Sequence, residues 1–144
     1  MTRKILLPVD LSDEHNWKSA LPVALEQASA PGAELHIVSV LPDFGLSSVS
    51  SFFKEGYEQE ALKKIGAELT QWVADHVPPG VAVHPHVLHG SIYDEILRAA
   101  DKLGVDIIVM CAHRPSFKDY LLGPNTARVV RHAKQSVYVV RDKD

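Results

Sequence analysis

Cysteine is nearly absent from this chain. Its 144 residues hold one, Cys111, which excludes an intrachain disulfide and points to a reducing compartment. A chain of this length buries enough surface to fold without disulfides or a structural metal. Long apolar runs are also missing. The opening "MTRKILLPVD" carries only a short one before Pro8 and Asp10, too short for a signal peptide or a membrane span, so the expected location is the cytoplasm with no membrane partner. Excess positive charge is lacking too. Fifteen Lys and Arg face eighteen Asp and Glu, a net charge of -3 with His neutral, which gives no support to nucleic-acid binding. Arg128 and Arg131 read as a solvated helix face. There is no Walker loop, no dinucleotide glycine fingerprint and no credible serine triad. A phosphoacceptor receiver domain needs a carboxylate at the end of its third strand, where this chain has "LHG".

What remains is the composition of a globular protein, with 46% hydrophobic and 23% charged residues, and a length that fits one domain spanning 1–144. The pattern alternates between strand and helix. "KILLPV" (Lys4 to Val9) reads as a strand buried on both faces. Ser12 or Asp13 is placed to cap the helix that follows, in which Pro22 predicts a kink or a late start. Ala33 to Pro42 is the second strand. Asp43 to Gly56, rich in Ser and Gly, reads as a long connection, with a lid or partner contact as the functional alternative. From Tyr57, the residues Ala61, Leu62, Ile65, Leu69, Trp72, Val73 and His76 form one helical stripe. Val81 to Gly90 is the third strand, and Pro85 within it predicts a sheet edge. Ser91 to Asp94 resembles a helix-start box, and Gly104 ends that helix. Val105 to Cys111 is the fourth strand, "NTARVVRHA" a short helix, and Ser136 to Arg141 the fifth strand. This is an α/β pattern: a doubly wound sheet of five parallel strands, order 3-2-1-4-5, with helices on both faces.

Such a sheet binds ligands beyond the carboxyl ends of its strands, where the order reverses, here expected between the first and fourth strands. That sets Pro8, Val9 and Asp10 beside Cys111, His113 and Arg114. Val9, Val40 and Met110 are the predicted walls of an apolar slot for a base. Asp10 is placed to accept from a ribose hydroxyl or an adenine amino group. The last helix starts at Gly123, Pro124, Asn125 and Thr126, where free N–H groups and the Thr126 hydroxyl suit a phosphate.

Three stretches, "ILLPVDLS", "GSIYDEILRAADKLGVDIIVMCAHR" and "YLLGPNTARVVRHAKQSVYVVR", together resemble the universal stress protein family over nearly the whole chain, and most of all its enteric F and G types. The resemblance implies the adenine nucleotide alpha hydrolase-like fold. It implies ATP as the ligand, since many members bind ATP and others do not; Asp10, whose plainer reading is a cap of the first helix, is placed to hold Mg²⁺ through a phosphate. It also implies a homodimer paired through the last strand, here Val137, Tyr138, Val139 and Val140, acting as a stress-response regulator with an unknown protein partner. The family's ATP pattern is Gly, two residues, Gly, nine residues, Gly, then Ser or Thr. Here Cys111 and Arg114 stand at the first two glycine positions, eight residues separate Arg114 from Gly123, and Pro124 stands at the Ser/Thr position. Proline is comfortable in a first helical turn but offers neither N–H nor hydroxyl. Losing one charge-assisted phosphate hydrogen bond costs about 1–3 kcal/mol, roughly one to two decades of affinity, and Arg114 is placed to offset it.

Other constellations have plainer readings. His84 and His86 share a strand face, with His89 nearby, but the expected reading is an exposed edge strand and no metal site. His113 orders its loop, and Cys111 is a small buried hydrophobe. No residue is clearly placed to activate water, so no catalytic residue and no efficient ATPase is expected. The competing readings are a nucleotide-free interaction module and a slow ATP hydrolase using Asp10, His113 and a metal.

Overall fold

The computed structural model describes residues 3–42, 57–112 and 122–141. Five strands form one sheet: β1 (Lys4–Pro8), β2 (Glu34–Pro42), β3 (Val83–Gly90), β4 (Ile107–Ala112) and β5 (Ser136–Arg141). Their order is β3-β2-β1-β4-β5, and every pairing is parallel. The expected order is therefore the observed one. Pro85 sits on an edge strand, opposite Ile37 of β2, where its missing N–H costs the sheet least.

Four helices are described: α1 (Ala20–Gln27), α2 (Tyr57–His76), α3 (Ile92–Leu103) and α4 (Leu122–His132). Period-two alternation along the central strands feeds two apolar layers. Ile5, Leu7, Leu35, Ile37, Val109 and Cys111 pack with Ala24 of α1 and Leu69 and Trp72 of α2. Leu6, Val38, Ile108 and Met110 pack on the other face with Ile96 and Ala100 of α3 and Val129 of α4. Most of these side chains are fully buried, each worth about 1.5–3 kcal/mol of transfer free energy. The β1 and β4 runs are apolar at successive positions because both faces of the central strands are covered.

Helix starts show where local chemistry decides. Pro22 delays α1: a 3-10 turn at Glu14–Asn16 comes first, and α1 begins at Ala20, so Pro22 falls in its first turn, where no intrahelical N–H is needed. Asp13 caps the 3-10 turn, accepting from the His15 amide at 3.0 Å. The expected box at Ser91 forms only in part. Ser91 is the N-cap of α3 but makes no side-chain capping bond. Gly104 closes α3 in the left-handed conformation, φ 68° and ψ 38°, as expected of a helix-ending glycine. The segment 43–56, read as a long connection or lid, lies outside the described residues.

Candidate functional site

The expected crevice lies between β1 and β4, but the cleft the described residues form opens on the other side of β1, where β1 and β2 end side by side, and no β4 residue lines it. It is lined by Pro8, Val9 and Asp10 from the end of β1, by Ser12, by Val38, Val40 and Pro42 of β2, and by Ile92 and Ile96 of α3. Its volume is about 160 Å³. A cavity of about 150 Å³ with apolar walls takes a benzene ring, so this cleft has room for one planar heterocycle, with anything attached to it lying outside. The walls are mainly apolar and the polar groups sit at the Asp10–Ser12 rim.

The rim is fixed by a small network. Asp10 Oδ1 accepts from the Ser12 amide at 2.9 Å and the Ser12 hydroxyl at 2.6 Å. All the hydrogen bonds that this carboxylate accepts from described residues fall on Oδ1, which leaves Oδ2 for a ligand donor. Beneath it, Asn16 is 3% exposed. Its Oδ1 accepts from the Asp10 amide at 2.9 Å, and its Nδ2 donates to the Asp10 carbonyl at 3.0 Å and to the Asp13 carbonyl. A buried amide thus clamps the loop at both ends and aims the carboxylate. Sequence reasoning missed Asn16, which looks like any polar residue in "SDEHNW".

The expected ligand-binding residues fall into four groups. Pro8, Val9, Asp10 and Val40 come together in the cleft. Met110 and Cys111 do not line it. Met110 is 2% exposed in the layer beneath α3 and α4, and Cys111, equally buried, lies with its sulfur 3.2 Å from the Ser19 hydroxyl. The wall expected from Met110 is supplied by Val38, Ile92 and Ile96 instead. At the start of α4, which takes in Gly123 and Pro124, Thr126 is 6% exposed and donates its hydroxyl hydrogen to the Cys111 carbonyl at 3.2 Å. That bond ties α4 to the end of β4 and commits the proton expected to serve a phosphate. Asn125 is half-buried in the same turn. His113 and Arg114 lie outside the described residues.

Fold and cleft together define a class: a doubly wound parallel α/β protein with a crevice at the carboxyl ends of its strands, the place where such sheets bind ligands. Comparison with known proteins narrows it. The model of the universal stress protein family matches residues 1–141, and the chain belongs to that family. It is 31% identical to universal stress protein G of Shigella flexneri over 147 aligned positions, covering 98% of this chain and all of the relative. Among solved structures, the hypothetical protein MJ0577 of Methanocaldococcus jannaschii superposes with a TM-score of 0.79 at 24% identity, covering 99% of this chain and 97% of the other. The Archaeoglobus fulgidus universal stress protein in complex with dAMP superposes at 0.64 with 20% identity, covering 96% and 97%. These likenesses bear out the adenine nucleotide alpha hydrolase-like fold.

Proposed function

We propose that this chain binds an adenine nucleotide, ATP foremost, in the cleft at the ends of β1 and β2, and acts as a homodimeric cytoplasmic stress regulator without efficient catalysis. The observation that carries the reading is the cleft itself: a ring-sized apolar slot with an aimed carboxylate at its rim. The base lies between Val40 and Ile92. The open oxygen of Asp10 accepts from a ribose hydroxyl, and the phosphates run toward Gly123 and Asn125. There the amides of the first turn of α4 and its dipole favour negative charge. The dAMP-bound relative supports an adenine ligand. Mg²⁺ would arrive on the phosphates. Bound nucleotide regulates only through unequal affinity for two forms of the protein, the dimer contact or the 43–56 segment being the elements to bias.

The competing reading, a nucleotide-free interaction module, draws on the phosphate side. Pro124 lacks an N–H, and the Thr126 hydroxyl proton is already used. Titration calorimetry of stripped protein with ATP and Mg²⁺ separates the two. The expected result is saturable binding in the wild type and its loss in Val40→Trp, which fills the slot. Absence of heat at millimolar ATP leaves the interaction module as the function.

A further inference from the structure

The last helix, α4, has two unlike faces. Inward, Thr126 and Val129 are buried, and Ala133 just past the helix end packs on the same apolar layer. Outward, Ala127, Val130, Arg131 and Lys134 are all exposed, at the i, i+3, i+4 and i+7 spacing of one helical stripe. Lys134 carries that stripe two residues past the end of α4. Val130 is 50% exposed, more than any other large apolar side chain among the described residues. Arg128 stands beside the stripe, its guanidinium 4.8 Å from the ring centre of Tyr93 on α3, so this cation is held in place by an aromatic face.

The charge here has one sign. From Leu122 to Arg141 the chain carries Arg128, Arg131, Lys134 and Arg141 and not one Asp or Glu, although its net charge is -3. Elsewhere surface cations meet acids: Lys4 pairs with Glu34, Lys18 with Glu14 and Arg98 with Glu95. None of the four cations of this segment forms an ion pair among the described residues. On α3, which packs against α4, Glu95 is taken by Arg98 and Asp101 accepts from Gln135 at 2.9 Å. Arg128 and Arg131, and Arg131 and Lys134, are like charges three residues apart, a spacing that brings them together on a helix at a cost in stability. The dipole of α4 favours cations in its last turn, which accounts for Arg131 and His132. It does not account for an exposed valine among uncompensated cations, and neither does the plain reading of Arg128 and Arg131 as a solvated face.

We propose that this face of α4 is a docking surface for an acidic segment of a partner protein, a short helix carrying an apolar residue flanked by Asp or Glu. The apolar residue covers Val130 and Ala127, and the carboxylates pair with Arg128, Arg131 and Lys134. The stripe from Ala127 to Lys134 is about 10 Å long, so one or two turns of the partner span it. Complementary charge selects the partner and speeds the encounter, and the apolar centre adds affinity as it leaves water. A nucleic acid fits less well: its phosphates suit the cations but leave Val130 against a polar backbone, and the chain as a whole is negative. A second copy fits less well too, because an isologous contact sets the patch against itself and its like charges repel. The surface is independent of the nucleotide reading.

The test uses the full-length protein and a fluorescein-labelled peptide of Leu and Glu, about four helical turns long with Leu at every third or fourth position. Fluorescence anisotropy at about 50 mM salt is expected to show saturable binding at about 100 µM or tighter, weakened at least about threefold in about 0.3 M salt. Arg131→Glu and Lys134→Glu each weaken it about tenfold, and Val130→Ser about threefold. Lys63→Glu, at an exposed cation of α2, is the control and changes nothing. All four positions are exposed, so the variants carry little folding risk, and circular dichroism checks each of them. Failure to saturate below about millimolar peptide overturns the proposal. So does binding unchanged in Arg131→Glu or Val130→Ser, an equal loss in Lys63→Glu, or an all-Glu peptide that binds as tightly. A DNA duplex of similar length that binds more tightly overturns it in favour of nucleic acid, and a sedimentation mass that falls in Arg131→Glu overturns it in favour of a second copy.

Discussion

Gly90 joins β3 to α3 with φ at +144°, a conformation that side chains rarely adopt. A Cβ there would meet Glu95 Cγ at 3.1 Å and Cδ at 3.2 Å. Glu95 has little freedom to withdraw, since its carboxylate pairs with Arg98 at 2.9 Å and its side chain is 13% exposed. Gly90→Ala is therefore expected to destabilise the protein by about 1–3 kcal/mol, read as a lower urea midpoint at unchanged slope. Gly80 is the control: it has φ +98° but nothing within 4 Å of a built Cβ, so Gly80→Ala reports backbone strain alone. If the two variants lose the same stability, the contact with Glu95 is not felt. Two residues beyond Gly90, Ile92 lines the cleft, so the same substitution also disturbs the site. Asn16 is a second residue whose weight is invisible from its type: its amide replaces a backbone turn, and its bonds set the direction of Asp10.

At the scale of elements, the β2–β3 pair is the part of the sheet that senses pH. His36 is held below 6.5 chiefly by burial, against which its hydrogen bond to the Glu34 carboxylate pulls upward; His84 and Lys4 add to the depression. For His86 the causes are burial, then His36, then His84. The unfolded chain therefore binds more protons than the folded one between the depressed folded values and 6.5, and stability rises with pH across that window. It is fully present above 6.5 and lost as pH falls below it. Urea unfolding in EDTA over about pH 5–7.5 should show a positive slope that shrinks in His86→Gln. An unchanged slope in that variant would place the pH dependence elsewhere. The same strands show what the sequence could disclose. Pro85 disclosed the edge because a missing donor has one cheap location. The shared face of His84 and His86 followed from alternation. His36 did not join them, because strand register is a tertiary fact. Val38 was legible in principle, two residues before Val40 on the same face, whereas Ile92 and Ile96 required knowing where α3 lies. Met110 misled because a strand buried on both faces has no polar alternation to show which side a residue takes.

At the scale of the whole molecule, the sheet has two edges and treats them differently. β3 is guarded: Pro85 interrupts its donors and His84 is exposed beside it, both features that discourage strand addition. β5 has no proline, and Tyr138 is 44% exposed on it. Its outer row of amides and carbonyls has no strand beside it in this sheet. A second copy pairing through Val137, Tyr138, Val139 and Val140 would satisfy that row and cover Tyr138. Sedimentation at micromolar concentration is expected to give twice the chain mass of 15.9 kDa. Tyr138→Lys places charge on the proposed contact while touching little of the core. It should yield a monomer whose own unfolding free energy, measured below the dimer dissociation range, changes by no more than about 0.5 kcal/mol. A wild-type mass of 15.9 kDa at that concentration would remove β5 as the assembly edge, and a dimer that survives Tyr138→Lys would move the contact off this strand. The asymmetry between the edges makes the test selective: a charged residue at exposed positions of β3 should leave the dimer intact, because β3 is the opposite edge of the sheet from the proposed contact.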